Sequence, residues 1–377
     1  MFQFEFIDDL TQIKAHTWDA LLHGDPFVSH AFLLACQQSQ AANNASGWYA
    51  RHLLIYHHSQ LAAVLPGYLK THSYGEYVFD WSFAEAYEQH NLAYYPKWIC
   101  AVPFSPICGN RIGCAELNNE LIDYINQVLT TTCQQQGWSG WHINFLPQPH
   151  SDQLAQIPVM QRIGVQFQWF NQSYHNFDAF LARFTARRRK TVKKERQKAL
   201  ADNISIEWLE GEQISSELMA QFTLFYQQTY LKRSGHLGYF NQDFFAQLHR
   251  TMANHLVIML AKKDHEIIAA TLSLKNQHTL YGRYWGAKDN YDFLHFELCY
   301  YQGIEYCIEH KLMCFHAGAQ GEHKIMRGFE AVVTYSNHYI SHPDFSRAIG
   351  SFFQQERQQI LHYQQQCLSL LPFKNES

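Results

Sequence analysis

The chain has 377 residues, 47% hydrophobic and only 16% charged, which fits well-packed globular domains and is long enough for two of them. A net charge of -4 and a pI near 6.6 argue against a generalised nucleic-acid binder, though not against a local basic patch. The nine cysteines are odd in number and lack a CxxC pair, so they read as reduced, buried thiols of a cytosolic protein.

The opening MFQFEFIDDLTQIK carries acids where a signal peptide needs basic residues and an apolar stretch. No apolar run approaches the roughly 20 residues that span a bilayer, so the expectation is a cytoplasmic protein without a membrane span. From Pro26, PFVSHAFLLACQQS reads as a capped helix, and 51–70 as two apolar strands about a polar turn. The segment 73–95 is dense in aromatics. Such segments are more often core or interface, but Asp80 beside Trp81 could line a groove for an extended acceptor. A strand at 97–103, a helix at 116–136 and a strand at 141–147 follow. Pro147, Pro149 and Pro158 then interrupt regular structure and mark a boundary.

The dense basic run RFTARRRKTVKKERQK covers 183–198. On a helix its charges spread over more than one face. It reads either as a solvated helix or as a phosphate contact through Arg187, Arg188 and Lys194. Interleaved aromatics are missing, which disfavours base recognition. Beyond it, a helix from Gly238 and a hairpin at 255–275 repeat the earlier pair. A strand at Thr279–Ala287, a helix at 294–310, a short strand at 313–317 and a glycine-punctuated loop at 318–328 complete the second series. Six elements in matching order imply two copies of one domain. The expected division is 1–155 and 156–377, the second part including a basic helix at 183–200.

The last stretch concentrates polar groups in apolar surroundings. His295, Glu297, Glu322 and His323 are the candidates for proton transfer. Tyr281, Arg283, Trp285, Gln320, Lys324 and Arg327, with Asp80 and Trp81 from the first half, are the candidates for substrate contact. The histidines and acids include no HExxH and no regular ligand spacing, so no metal is expected. No GxSxG or Cys–His nucleophile pattern is evident, which disfavours a covalent acyl-enzyme.

The order helix, hairpin, strand, helix, strand is that of the GNAT acyltransferase fold. Two such domains in one chain resemble the Fem family of peptidyltransferases, which add amino acids to peptidoglycan precursors. More closely, the chain resembles a Fem-like bacterial family tied loosely to peptidoglycan biosynthesis or recognition. The residues that carry this are KTHSYGEYVFDWSFAEAYEQHNLAYYPKWICAVPFSPICGNRI from Lys70, RRRKTVKKERQ from Arg187, and YGRYWG…FLHFELCYYQGIEYCIEHKL…AGAQGEHKIMRGF from Tyr281. The resemblance implies an α/β protein of two tandem GNAT-like domains, each a mixed sheet flanked by helices. It also implies an acyl- or aminoacyltransferase acting on an amine, with a peptidoglycan precursor as one candidate acceptor. The rival reading is a non-catalytic protein that recognises a cell-wall fragment or nucleotide-linked precursor. Acetyl-CoA enzymes of this fold hold pyrophosphate on a glycine-rich loop before the helix after the central strand. Here KDNYDFLHFE has no glycine, and FSPICGNRIGC matches only in part through Gly109, Arg111 and Gly113. That departure favours aminoacyl-tRNA over acyl-CoA as donor and puts tRNA among the candidate partners.

Overall fold

The structure, a computed structural model, describes residues 1–319 and 321–374. Its strands in chain order are β1 (Phe2–Ile7), β2 (Trp48–Ala50), β3 (His52–His57), β4 (Gln60–Leu65), β5 (Gly67–Lys70), β6 (Lys97–Cys100), β7 (Gly113–Cys114) and β8 (Gly140–Leu146). Next come β9 (Met160–Phe170), β10 (Ile204–Glu210), β11 (Leu256–Lys263), β12 (Glu266–Lys275), β13 (Thr279–Ala287), β14 (Cys314–His316) and β15 (Glu330–Ile340). The chain forms two compact units, Met1–Gly164 with Val333–His362, and Val165–Val332 with Tyr363–Ser377. The first unit is therefore not contiguous, which differs from a single cut at 155/156. Most of β15 and most of the helix Pro343–Ser369 return to it, because β15 pairs with β8 from Tyr335↔Leu146 to Ile340↔Gly140.

The two units share one plan, a mixed sheet flanked by helices in the GNAT manner. In the second, β10 to β13 run antiparallel, β13 and β14 run parallel, and β14 pairs with β9. In the first, β3 and β4 form the hairpin and β5 continues past Pro66 to β6, which runs parallel to β8. The hairpins agree in detail. Each turns on two non-glycine residues with positive φ, His58 and Ser59 in one and Asp264 and His265 in the other. Each also shifts register just before that turn, at Ile55/Tyr56 and at Ala261/Lys262. Two left-handed residues give the turn whose twist matches the strands it joins.

Burial explains why the central strands are nearly continuous apolar runs. β8 is buried along its whole length and β11 along its first six residues, so both faces are covered. In the first unit Trp98, Trp141 and Ile143 pack against Leu121, Ile125 and Leu129 of the helix Asn119–Gln136. That helix is started by the Asn118 side chain accepting from Leu121 N at 3.0 Å and stopped by left-handed Gly137. In the second, Leu280 and Phe315 pack with Ile304 and Phe329. No helix among the described residues is long and apolar enough to cross a membrane.

The helix Ser216–Ser234 lies close against β13 at Gly286, where an added Cβ would stand 2.2 Å from the Phe225 carbonyl carbon. Backbone cannot yield as a side-chain tip can. Gly286→Ala is expected to destabilise the protein by about 1–3 kcal/mol, read as a lower melting temperature in thermal denaturation.

Candidate functional site

β13 and β14 pair over three positions only, Thr279↔Cys314, Leu280↔Phe315 and Tyr281↔His316. β13 continues to Ala287 while β14 ends, so the parallel pair opens into a wedge. Arg283 lies on the open part of β13, and its charge acts on both His316 and Lys324. Lys324 is 2% exposed, and its Nζ donates to Gly318 O at 2.7 Å. Burial, reinforced by Arg283 and opposed by Cys299, lowers its pKa from 10.5 to about 7. His316 is also buried. Its Nε2 lies 2.8 Å from Gln166 Oε1, its Nδ1 has no hydrogen-bond partner, and burial holds it neutral with a pKa of about 3.

The helix after β13 starts at Leu294, opens into π geometry over Glu297–Tyr301, and resumes as α-helix over Gln302–Glu309. A π turn inserts one extra residue into the ring and redirects the side chains around it. Tyr300 is the hub of that turn. Its ring lies 5.5 Å from His295, its hydroxyl is 2.8 Å from His323 Nε2, and Lys324 Nζ stands 5.8 Å from its centroid. His295 also packs edge-on to Trp285 at 5.3 Å. Burial, then Arg233 and neighbouring cations, lower its pKa to about 4. His323 is more open and is lowered by burial and by Arg327. Beyond the end of β13, Trp285, His295, Lys232, Arg233, Asp289 and Asn290 help line a cavity of about 160 Å³.

The remaining expected residues stand elsewhere. Glu297 is fully buried, with both oxygens held by Arg196 and one also accepting from Gln302 Nε2 at 2.7 Å. A proton-transfer role there needs a lone pair open to a ligand, and these contacts occupy the carboxylate. Arg327 is likewise engaged, by Glu195 at 2.8 Å, Tyr301 OH at 3.0 Å and His323 O at 2.7 Å, with its guanidinium over Phe296 at 3.7 Å. Glu322 is exposed and accepts from Tyr363 OH at 2.7 Å. Tyr281 is buried with its ring 6.2 Å from His316, and Gln320 lies outside the described residues. Tyr300, His316, Cys299 and Arg233 were absent from the expected set. Only His316, at the end of a strand read from sequence, carried a local signal.

The first unit treats its own wedge differently. β6 and β8 pair through Cys100↔Ile143, and the chain beyond β6 then closes the opening. Gly109 N donates to Phe145 O at 3.0 Å, and Phe104, Ile107 and Arg111 are buried. Arg111 donates to Asn110 O at 3.0 Å and also to Ile107 O, so it is an internal tie and cannot grip pyrophosphate. Asp80 is 6% exposed and accepts from Tyr94 OH at 2.6 Å and from Lys97. Burial pushes its carboxyl up, but the Lys97 ammonium prevails and holds it at about 2. Trp81, 41% exposed, stacks edge-on with Tyr74 at 4.6 Å. Among the described residues no group of three His, Cys, Asp or Glu side chains could hold a metal ion.

The basic run forms the helix Ala186–Ala199. Its charges are sorted more sharply than the sequence suggests. Arg196 faces inward to Glu297 and Glu305, and Glu195 faces inward to Arg327 and Tyr301. Arg187 and Lys194 are exposed, and Arg188 is half-buried.

Residues 9–375 match the FemAB-like family, described as peptidoglycan biosynthesis and recognition, and the chain belongs to that family. Its fold is shared by FemX, at 12% identity and a TM-score of 0.56, covering 90% of this chain and 98% of that one. A protein of unknown function from Bacteroides thetaiotaomicron VPI-5482 aligns at 10% identity and a TM-score of 0.53, over 90% of this chain and 100% of that one. The C-terminal domain of a putative lysylphosphatidylglycerol synthetase from Agrobacterium fabrum aligns at 11% identity and 0.51, over 89% and 94%. No curated protein gives a significant match.

Removing Glu297 takes the more buried of the two carboxylates from Arg196, which keeps Glu305 at 2.6 Å, and leaves Gln302 Nε2 without its acceptor. Glu297→Ala is expected to destabilise the protein on the order of 3 kcal/mol by chemical denaturation, against well under 1 kcal/mol for the exposed Glu322→Ala.

Proposed function

We propose that the second unit transfers an aminoacyl group from an activated ester onto a primary amine, and that the acceptor is a peptidoglycan precursor. The observation that carries this reading is Lys324, a buried amine whose pKa is lowered to about 7, set at the mouth of a strand wedge beside Arg283. Near neutral pH a fraction of its amine is unprotonated. It can then donate one N–H to Gly318 O and keep its lone pair for a proton. The acceptor nitrogen attacks the ester carbonyl, a C–N bond forms, and the C–O bond to the donor breaks. The proton leaves the nitrogen for Lys324 and passes to the departing oxygen. Arg283 is the cation placed to offset charge on the carbonyl oxygen. The family description supports peptidoglycan chemistry. The loop after β13 has no glycine to hold a pyrophosphate, which supports aminoacyl-tRNA over acyl-CoA. His323 and Tyr300 are assigned to orienting the amine, and Trp285 and His295 to the wall.

Lys324→Met is expected to cut turnover by roughly 10²–10⁴-fold, the usual contribution of a general base. Wild-type turnover should rise with pH through about 7, and that inflection should vanish in the variant. If the variant keeps full turnover, the assignment fails. If wild type binds the precursor without turnover, recognition without catalysis becomes the better reading. Stability should move the other way. Folding lowers this pKa from 10.5 to about 7, so the unfolded chain holds the proton more tightly between those values and stability rises with pH across the window. Lys324→Met is therefore expected to raise the melting temperature most below pH 7, where the buried charge is fully present, and least above about 10.5.

A further inference from the structure

The outward face of the helix Ala186–Ala199 is a cation ridge. Arg187, Lys190, Lys194 and Lys198 recur at spacings of three and four, opposite the buried Val192 and Ala199, and all four are exposed. At 1.5 Å of rise per residue they form a straight row about 16 Å long. The helix carries eight cations and one carboxylate, within a chain whose net charge is -4. Ion pairs take up Arg196 and Lys193, and Lys198 stands over Phe293 at 5.4 Å. Arg187, Lys190 and Lys194 meet no counter-charge among the described residues. The arrangement also works against its own helix. Three arginines crowd the first turn, at the positive end of the dipole, with Lys190 next, no acid there and no side-chain cap from Thr185. Like charges three and four residues apart repel as well. An external polyanion relieves both costs.

A second observation separates the polyanions. Residues 372–374 run alongside the helix start, with Thr185 N donating to Pro372 O at 2.9 Å, Lys374 N to Arg183 O at 2.8 Å, and Phe373 bridged to Phe184. Leu370, two residues before Pro372 and 61% exposed, thus adjoins the same segment that pairs with the helix start. An exposed leucine beside cations gains nothing from RNA phosphates and gains from the acyl boundary of a bilayer. The ridge also carries no aromatic residue for stacking on bases. We infer that this face docks the protein on an anionic lipid surface, with the ridge on the headgroups and Leu370 in the interface. The inference does not depend on which donor the wedge takes.

The test is co-sedimentation of the full chain with vesicles of phosphatidylglycerol and phosphatidylcholine, and with vesicles of phosphatidylcholine alone. Wild type is expected to bind the mixed vesicles, to lose binding as salt rises, and to leave the neutral ones in solution. The triple variant Arg187→Gln, Lys190→Gln and Lys194→Gln is expected to bind roughly 100-fold more weakly, at about fivefold per cation near a charged surface. Leu370→Asp is expected to weaken the binding that persists at high salt. The changed side chains are exposed, and an unaltered circular-dichroism melt would show that each variant folds. Equal binding by wild type and triple variant, or equal binding to neutral vesicles, overturns the proposal. So does a wild type that ignores vesicles but binds RNA through these residues, which would assign the ridge to nucleic acid.

Discussion

The site depends on keeping one carboxylate out of water. Glu297 has no exposed surface, and such a group persists in its charged form only where donors replace its hydration. Arg196 supplies a fork of hydrogen bonds, and Gln302, on the helix that follows the π turn, supplies another. This pairing ties the widened turn to the helix Ala186–Ala199 from one side. Glu195, one residue earlier, ties Tyr301 and Arg327 from the same helix. With both ends of the turn held, Tyr300 is aimed at His323 and Lys324. The geometry of the wedge is thus set by groups whose own hydrogen bonds are made within the protein.

The two units show what a shared plan leaves open. Both join a twin-turn hairpin to a parallel strand pair, and both pairs diverge after three positions. One opening is filled by its own chain and sealed by Arg111. The other is edged by Arg283, His316 and Lys324, and burial there stores a cost in the lysine instead of a packed core. The asymmetry follows from what comes after the first parallel strand. In one unit a long, partly apolar segment folds back, and in the other a short polar loop leads straight into the helix.

Much of this fold is legible in the amino-acid order. The hairpins, the strand Thr279–Ala287 and the helix after it follow from period and polarity, and the repeated order points to the tandem plan. What local reading misses is pairing across distance. Glu297 looks available until Arg196, far upstream, takes its oxygens, and Asp80 looks like a groove residue until Lys97 closes on it. The basic helix looks smeared because its inward charges find acids in another element. The π turn leaves no trace in an apolar period, since one added residue shifts the pattern by less than the scatter of real helices. Lys324 was visible as a cation, but the carbonyl and the burial that change its chemistry were not.

The first unit's sheet takes its strand beside β8 from beyond residue 333, after the second unit has been almost wholly written. A chain leaving the ribosome can therefore assemble the second unit's sheet, β9 included, before the first has its full complement. Until the last strand arrives, β8 presents an unpaired edge of mainly apolar residues, and the order of completion runs against the order of synthesis. A ribosome that stops short of the C-terminal strand thus leaves the earlier unit without a sheet strand, and the later one without only its last segment, Tyr363–Ser377.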